Sequence, residues 1–182
     1  MKENELLSLL HASGVSTSEW GKGNAKTIGH LLAEIESGET VLEKTASGTL
    51  VRQTSFLTID VLHENADGRF KLYEEKQVFT DGRTRVRKHS ASVQEKIKPG
   101  EDVKAAAKRA LHEELGIDGD TDWDDKVSVS EETKESPSYP MLTAHFTMYA
   151  LTARIAASQF NPSGYTEKQA DKTTYFKWRK IA

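Results

Sequence analysis

Cysteine is absent from this 182-residue sequence, so disulfides, thiolate zinc sites and cysteine nucleophiles are excluded. The net charge is only −3, which excludes an overall electrostatic attraction to nucleic acid or anionic lipid. Any basic site must therefore be a local patch. No apolar run approaches the roughly 18 residues of a membrane span, and the acidic start of the chain does not resemble a secretory signal. We expect a soluble, cytoplasmic protein with no membrane partner.

The hydrophobic periodicity changes along the chain. Leucines at helical spacing near the start predict one helix, and a second amphipathic segment predicts another before residue 38. Later segments are rich in β-branched and aromatic residues and predict strands, with Asp67-Gly68 and Asp81-Gly82 suited to the turns between them. We interpret residues 1–38 as a helical N-terminal extension and residues 39–182 as the main domain.

The clearest helix is predicted over residues 101–116, directly after a break at Pro99-Gly100. Three consecutive alanines favour helix formation, and the acidic residues Glu101 and Asp102 suit the positive end of a helix dipole. Gly116 follows where it can cap the helix. Strands are then predicted at the sequences VSVSEE, MLTAHFTMYALTARI and TYFKWRKI, separated by loops that include DGDTDWDD, SPSYP and NPSG.

Charged residues on this helix have a spacing that is far more specific than a lone pair of carboxylates. The residues that carry the pattern are Glu101, Arg109, Leu111, Glu113, Glu114, Gly116 and Ile117. Their spacing over residues 95–117 resembles the Nudix box of the Nudix hydrolase superfamily. The resemblance implies an α/β (α+β) fold, namely a Nudix-type α/β/α sandwich with a mixed β-sheet, to which the helical N-terminal extension is added.

The resemblance also implies the chemistry of the site. Residues three and four apart share a helix face, and clustered carboxylates bind hard cations. In this scheme Glu113 and Glu114 bind Mg²⁺ or Mn²⁺, Glu101 pairs with Arg109 to brace the loop, and Gly116 ends the helix. The implied reaction is cleavage of a nucleoside diphosphate linked to another moiety. The implied partner is a phosphorylated small molecule, as substrate or ligand.

Two residues depart from the pattern at its chemical centre. Ala110 replaces a glutamate, and Glu95 replaces the opening glycine. Alanine can neither ligate a cation nor accept a proton, so we expect weak or altered activity unless another carboxylate substitutes. Glu95 is the natural catalytic substitute. The other candidates are Glu131, Glu132, Glu135 and Glu167.

An alternative interpretation follows from the same departures. The chain is then a catalytically inactive Nudix-fold module that binds a nucleotide, RNA or a protein partner. The sequence does not specifically indicate nucleic acid, and it leaves a homodimer open. A nucleotide panel tested with Mg²⁺ and Mn²⁺ separates the enzyme from the binding module.

Three arginines precede the box at every second position, namely Arg83, Arg85 and Arg87. In a strand they share one face. Two accounts are left open: a solvent-exposed strand, or a platform for substrate phosphate, because guanidinium groups match phosphate oxygens.

Overall fold

The structure, a computed structural model, describes residues 1–86, 91–98 and 100–181. Within these ranges the protein has three helices and a ten-stranded sheet, which confirms the α+β class. The helices are α1 (Glu3–Ala12), α2 (Ile28–Glu36) and α3 (Val103–Leu115). The strands are β1 (Val41–Lys44), β2 (Leu50–Asn65), β3 (Gly68–Phe79), β4 (Thr84–Arg85), β5 (Val93–Lys96), β6 (Asp122–Trp123), β7 (Ser128–Ser136), β8 (Tyr139–Arg154), β9 (Tyr165–Lys168) and β10 (Lys172–Ile181). Among the described residues, no helix has the length and apolar character needed to cross a membrane.

Internal contacts group the chain into two compact units. The first unit comprises residues 1–56, 96–101 and 129–148, and the second comprises residues 57–95, 102–128 and 149–182. Strands β2 and β8 each contribute one part to each unit. The division of the chain at residue 38 stays a prediction.

The first unit contains α1 and α2, in the positions that the leucine periodicity predicts. Their apolar residues Leu6, Leu10 and Leu31 are fully buried in one cluster with Tyr139 and Leu142 of β8. β1 pairs antiparallel with the start of β2, and β7 pairs with β8. Burial of the leucines in this cluster stabilises helices that are too short to persist alone.

The second unit is built on the strand order β6-β8-β2-β3-β10-β9. α3 packs beside β9 and confirms the predicted helix, which begins at Val103, two residues later than predicted, and ends at Leu115 before the capping Gly116. The Asp102 side chain accepts hydrogen bonds from two backbone N–H groups of the first turn, and Gly116 follows the last turn in the left-handed conformation, with φ 64°. The apolar side of α3 is buried and consists of Ala106, Ala107, Ala110, Leu111 and Leu115.

Several strands differ from the sequence prediction. The predicted loop SPSYP is mostly strand, with two residues between β7 and β8, because the Tyr139 ring belongs to the core of the first unit. β6 lies in the predicted acidic loop, where β8 supplies a pairing partner that local sequence does not reveal. The strand predicted from residue 83 contains β4 and β5, and residues 87–90 between them lie outside the described part of the chain.

Gly164, just before β9, has a backbone that side chains rarely adopt, with φ +85°. A Cβ atom there would overlap the carbonyl oxygen of Phe176 on β10. We expect Gly164→Ala to lower the free energy of unfolding by about 2 kcal/mol, because overlap adds to the cost of positive φ. Urea denaturation measures the loss. Gly48 is the matched control, because its φ is +86° and a Cβ atom would meet nothing within 4 Å. Equal losses in the two alanine variants would contradict the role of the close approach.

Candidate functional site

Glu114 lies on the last turn of α3, four residues after Ala110. Residues four apart share one side of a helix, so Glu114 lies on the same side of α3 as Ala110, which is fully buried. Glu114 itself is half-buried. The helix therefore holds a carboxyl group where solvation is incomplete.

The negative charges of three other glutamates in the second unit act on the Glu114 carboxyl. Burial and the negative charges of Glu167, Glu95 and Glu74 raise the pKa of the Glu114 carboxyl to about 9, while Lys172 opposes the rise. The three glutamates lie on β9, β5 and β3, respectively. At neutral pH the Glu114 carboxyl therefore keeps its proton unless a cation compensates the surrounding negative charge.

The donor atoms of this carboxylate group fit a hard divalent cation, because they are all oxygens that carry or can carry negative charge. The raised pKa of Glu114 also favours a cation at this position, because a cation would relieve the repulsion that keeps the proton bound. Among the described residues, however, no three acidic or histidine side chains have already converged to metal-binding distances. The group suits a cation in charge and atom type, but its side chains are not preassembled around one.

Glu113 has a different environment from Glu114. Its side chain is 48% exposed, and its Oε2 lies 3.0 Å from Nη1 of Arg109. The same Arg109 nitrogen lies 3.9 Å from Oε1 of Glu95, so Arg109 is placed between two carboxylates. The role of Glu113 as a metal ligand stays a prediction.

Glu101 accepts a hydrogen bond from the backbone N–H of Lys98 at 2.9 Å, in the loop before α3. This bond closes a turn at the start of the box, and the predicted pairing of Glu101 with Arg109 stays a prediction. His112 on α3 is exposed, and its Nδ1 lies 2.6 Å from the Asp118 carboxylate.

The candidates for the missing carboxylate fall into two groups. Glu131, Glu132 and Glu135 are exposed on β7 in the first unit. Glu95 and Glu167 belong to the second unit and contribute to the charge around Glu114. Within the second unit, Glu95 and Glu167 are thus the candidates whose charges act on the box helix.

Arg83 and Arg85 are exposed and lie over the same aromatic ring, with their guanidinium carbons 5.3 Å and 5.4 Å from the centroid of Phe79. Arg83 also pairs with Asp81 at 2.7 Å, and Arg85 donates to the side-chain oxygen of Gln77. The contact of both arginines with the Phe79 ring fits the expectation that they share one face of the strand. Their role in binding substrate phosphate stays a prediction. Arg87 lies outside the described residues.

Sequence reasoning missed Glu74 and Lys172, which both influence Glu114. Glu74 lies two residues after the fully buried Leu72 on β3, so strand alternation could have placed it on the inward face. This alternation was not evident because Glu75 follows directly, and two consecutive glutamates resemble a solvated segment. Lys172 begins β10 opposite Phe79, and no local pattern in the sequence points to Glu114.

Solved structures provide weak likenesses. The C. elegans Ap4A hydrolase is 14% identical, covers 69% of this chain and 79% of its own, and has a TM-score of 0.32. A protein assigned as a NUDIX hydrolase from Listeria monocytogenes is 13% identical, with coverages of 69% and 77% and a TM-score of 0.37. The T. brucei MERS1–RNA complex is 12% identical, with coverages of 87% and 61% and a TM-score of 0.36.

Sequence comparison is more decisive. No curated protein matches the chain. The family model for the NUDIX domain matches residues 54–179, which include the box, α3, and Glu114 with the three glutamates whose charges act on it, Glu74, Glu95 and Glu167. This match extends over well more than half of the 182 residues. The chain therefore belongs to the NUDIX domain family.

Proposed function

We propose that the protein is a Nudix-type hydrolase that cleaves a nucleoside diphosphate linked to another moiety, assisted by Mg²⁺ or Mn²⁺. The substrate is a phosphorylated small molecule, and we place the reaction in the cytoplasm. The observation that carries the proposal is the half-buried Glu114 among Glu167, Glu95 and Glu74. Such a concentration of negative charge costs folding free energy, and a divalent cation would offset that cost.

Glu95 is the residue that we propose in place of the glutamate missing at Ala110. It adds negative charge next to Glu114, and its carboxylate is 3.9 Å from the Arg109 guanidinium. The approach of that cation restricts the position of the Glu95 carboxylate. An ionised carboxylate can ligate a metal ion or accept a proton, as alanine cannot.

Glu114, Glu95 and Glu167 are the residues that would hold the cation, with water completing its ligands. A bound divalent ion supplies neutralisation of phosphate charge and a more acidic water. Within the protein, Arg109 would orient Glu95, and the Glu114 carboxyl would lose its proton and become available as a ligand if a cation were held beside it. The positive charge of Lys172 also acts on the Glu114 carboxyl.

Turnover of nucleoside diphosphate derivatives, measured with Mg²⁺ and Mn²⁺, tests the proposal. We expect Glu114→Gln and Glu95→Gln each to lower kcat about 100-fold or more, because each removes a charged ligand while keeping the side-chain size. Glu131→Gln is the control, since Glu131 is an exposed glutamate on β7. The control variant should keep wild-type turnover. Loss of turnover in the control alone would refute the assignment to Glu114 and Glu95.

Two observations favour a second candidate, the inactive binding module. Ala110 is fully buried, and the described residues contain no preassembled metal group. Wild-type protein that binds nucleotides equally well with Mg²⁺ and with EDTA, and turns none over, would establish this candidate. Activity that appears only in Ala110→Glu would show that the carboxylate at this position is required and that Glu95 does not replace it.

A further inference from the structure

One face of the paired strands β3 and β10 carries alternating tyrosines and cations. In the antiparallel register, Lys71 lies opposite Arg179, Tyr73 opposite Lys177, and Lys76 opposite Tyr175. Opposite residues share a face, as do residues two apart on one strand. The register shift between Tyr175 and Phe176 brings Lys76 into this alignment. We call these six residues the tyrosine–lysine face: Lys71, Tyr73, Lys76, Tyr175, Lys177 and Arg179.

This face is distinct from the candidate active site. Leu72 and Trp178 alternate with its members, and they lie opposite each other on the other side of the strand pair. Leu72 is fully buried there. Glu74, whose charge acts on Glu114, is opposite Phe176 on that inward side. An inference about the tyrosine–lysine face therefore does not rest on the proposed hydrolase function.

Cations of the face lie against its aromatic rings. The Arg179 guanidinium carbon is 4.9 Å from the centroid of the Tyr73 ring, and Lys71 Nζ is 5.3 Å from the same centroid. Lys76 Nζ is 5.3 Å from the centroid of the Tyr175 ring. Both rings are half-buried rather than enclosed. The face thus combines half-buried tyrosine rings with cations that lie over them.

Positive charge on the face is only partly neutralised, although Glu75, at the register shift two residues after Tyr73, adds an exposed carboxylate. Lys71 pairs with Asp60 at 2.7 Å, and Lys177 donates to the carbonyl oxygen of Ser163 at 2.9 Å, which leaves its charge uncompensated. In the part of the chain that the structure describes, no salt bridge joins Lys76, Lys177 or Arg179 to a carboxylate. Because the protein as a whole has a net charge of −3, this cationic excess is a local feature that selects for an anionic partner.

We propose that the tyrosine–lysine face binds single-stranded nucleic acid, with bases stacked on Tyr73 and Tyr175 and phosphates near Lys177 and Arg179. Aromatic rings interleaved with cations are the combination that single strands require, whereas a duplex keeps its bases stacked on each other. Along β10 the face runs from residue 175 to residue 179, roughly 13 Å at the usual rise per residue. That length accommodates more than one phosphate, so an oligonucleotide fits the face better than a mononucleotide does.

Fluorescence anisotropy with labelled 12-nucleotide oligo(U) and oligo(dT), and with a 12-base-pair duplex, tests the proposal in EDTA. Single strands should bind more tightly than the duplex. Comparison of oligo(U) with oligo(dT) then shows whether the face prefers RNA or DNA. Tyr73→Leu and Tyr175→Leu should each raise Kd about tenfold, whereas Tyr73→Phe keeps the ring and the affinity. The double variant Lys177→Gln/Arg179→Gln should reduce the slope of log Kd against log salt by about 1.4.

The matched control is Lys104→Gln/Lys108→Gln, which removes the same charge from exposed positions of α3. It should leave the salt slope unchanged, and circular dichroism should show that every variant is folded. Unchanged affinity in both leucine variants would overturn the stacking role. Equal binding of duplex, equal competition by poly-glutamate, or an equal effect of the control variant would show attraction of polyanions in general and would overturn the assignment to single strands.

Discussion

Glu34→Gln is expected to lower the free energy of unfolding by about 3 to 5 kcal/mol, the range for breaking a buried ion pair from one side. Glu34 on α2 is 6% exposed, and Arg52 on β2 is 5% exposed. Their carboxylate and guanidinium groups are 2.8 Å apart. Lys26 lies 2.5 Å and Lys96 3.3 Å from the other carboxylate oxygen. Glutamine would leave three cations facing a neutral amide.

The same group makes stability depend on pH. Burial alone would raise the pKa of Glu34, but the hydrogen bond from Lys26 and the charges of Lys96 and Arg52 outweigh it and lower the pKa to about 2. A carboxylate with a lowered folded-state pKa contributes stability above its unfolded value of 4.5 and loses it as pH falls. The wild type should therefore lose about 3 kcal/mol between pH 5 and pH 2 from this group, and Glu34→Gln should lack that component.

Urea denaturation from pH 7 down to pH 2 measures both effects. Glu39→Gln is the control, because Glu39 also pairs with Lys96, at 2.5 Å, but its side chain is 37% exposed. We expect the control to lose less than about 1 kcal/mol, as exposed ion pairs do. If the Glu34 and Glu39 variants lost equal stability at pH 7, burial would not be the source of the Glu34 contribution.

Local sequence could predict the elements whose stabilising interactions are themselves local. α3 was predictable because its alanines, the cap at Asp102 and the left-handed Gly116 all lie within the helix or next to it. The β2–β3 hairpin was predictable from Asp67-Gly68 for the same reason. The NUDIX family assignment likewise followed from residues in one continuous segment.

Interactions that join distant segments could not be predicted. Glu34 fits the pattern of a helix with a polar residue on its surface, and its burial depends on Arg52 and Lys96, which come from other elements. The carboxylates around Glu114 come from three strands, and their approach depends on strand order and register.

Glu114→Gln should change the free energy of unfolding in the opposite direction to Glu34→Gln. It is expected to stabilise the metal-free protein at alkaline pH. Burial and the charges of Glu167, Glu95 and Glu74 raise the folded-state pKa of Glu114 to about 9, from 4.5. Between these values the folded protein holds a proton that the unfolded chain has released, so the wild type loses stability as pH rises. Glutamine resembles the protonated carboxyl and does not titrate.

At pH 8 the upper limit of this effect is about 5 kcal/mol, from roughly 3.5 pH units at about 1.4 kcal/mol each. Since Glu114 is half-buried and partly solvated, we expect Glu114→Gln to be about 2 to 3 kcal/mol more stable than wild type in EDTA at pH 8. The difference should vanish near pH 4.5. Equal stability of the two proteins at pH 8 would contradict the crowding of carboxylates around Glu114.

Added Mg²⁺ or Mn²⁺ then connects this stability difference to function. A cation that binds the ionised Glu114 stabilises the folded wild type by mass action and removes the charge repulsion. The wild type should therefore gain stability with metal at pH 8, and Glu114→Gln should gain much less, so that the advantage of the variant shrinks or reverses. A metal effect of equal size in both proteins would place the cation elsewhere. The carboxylate group would then destabilise the fold without the metal-binding role that we propose for it.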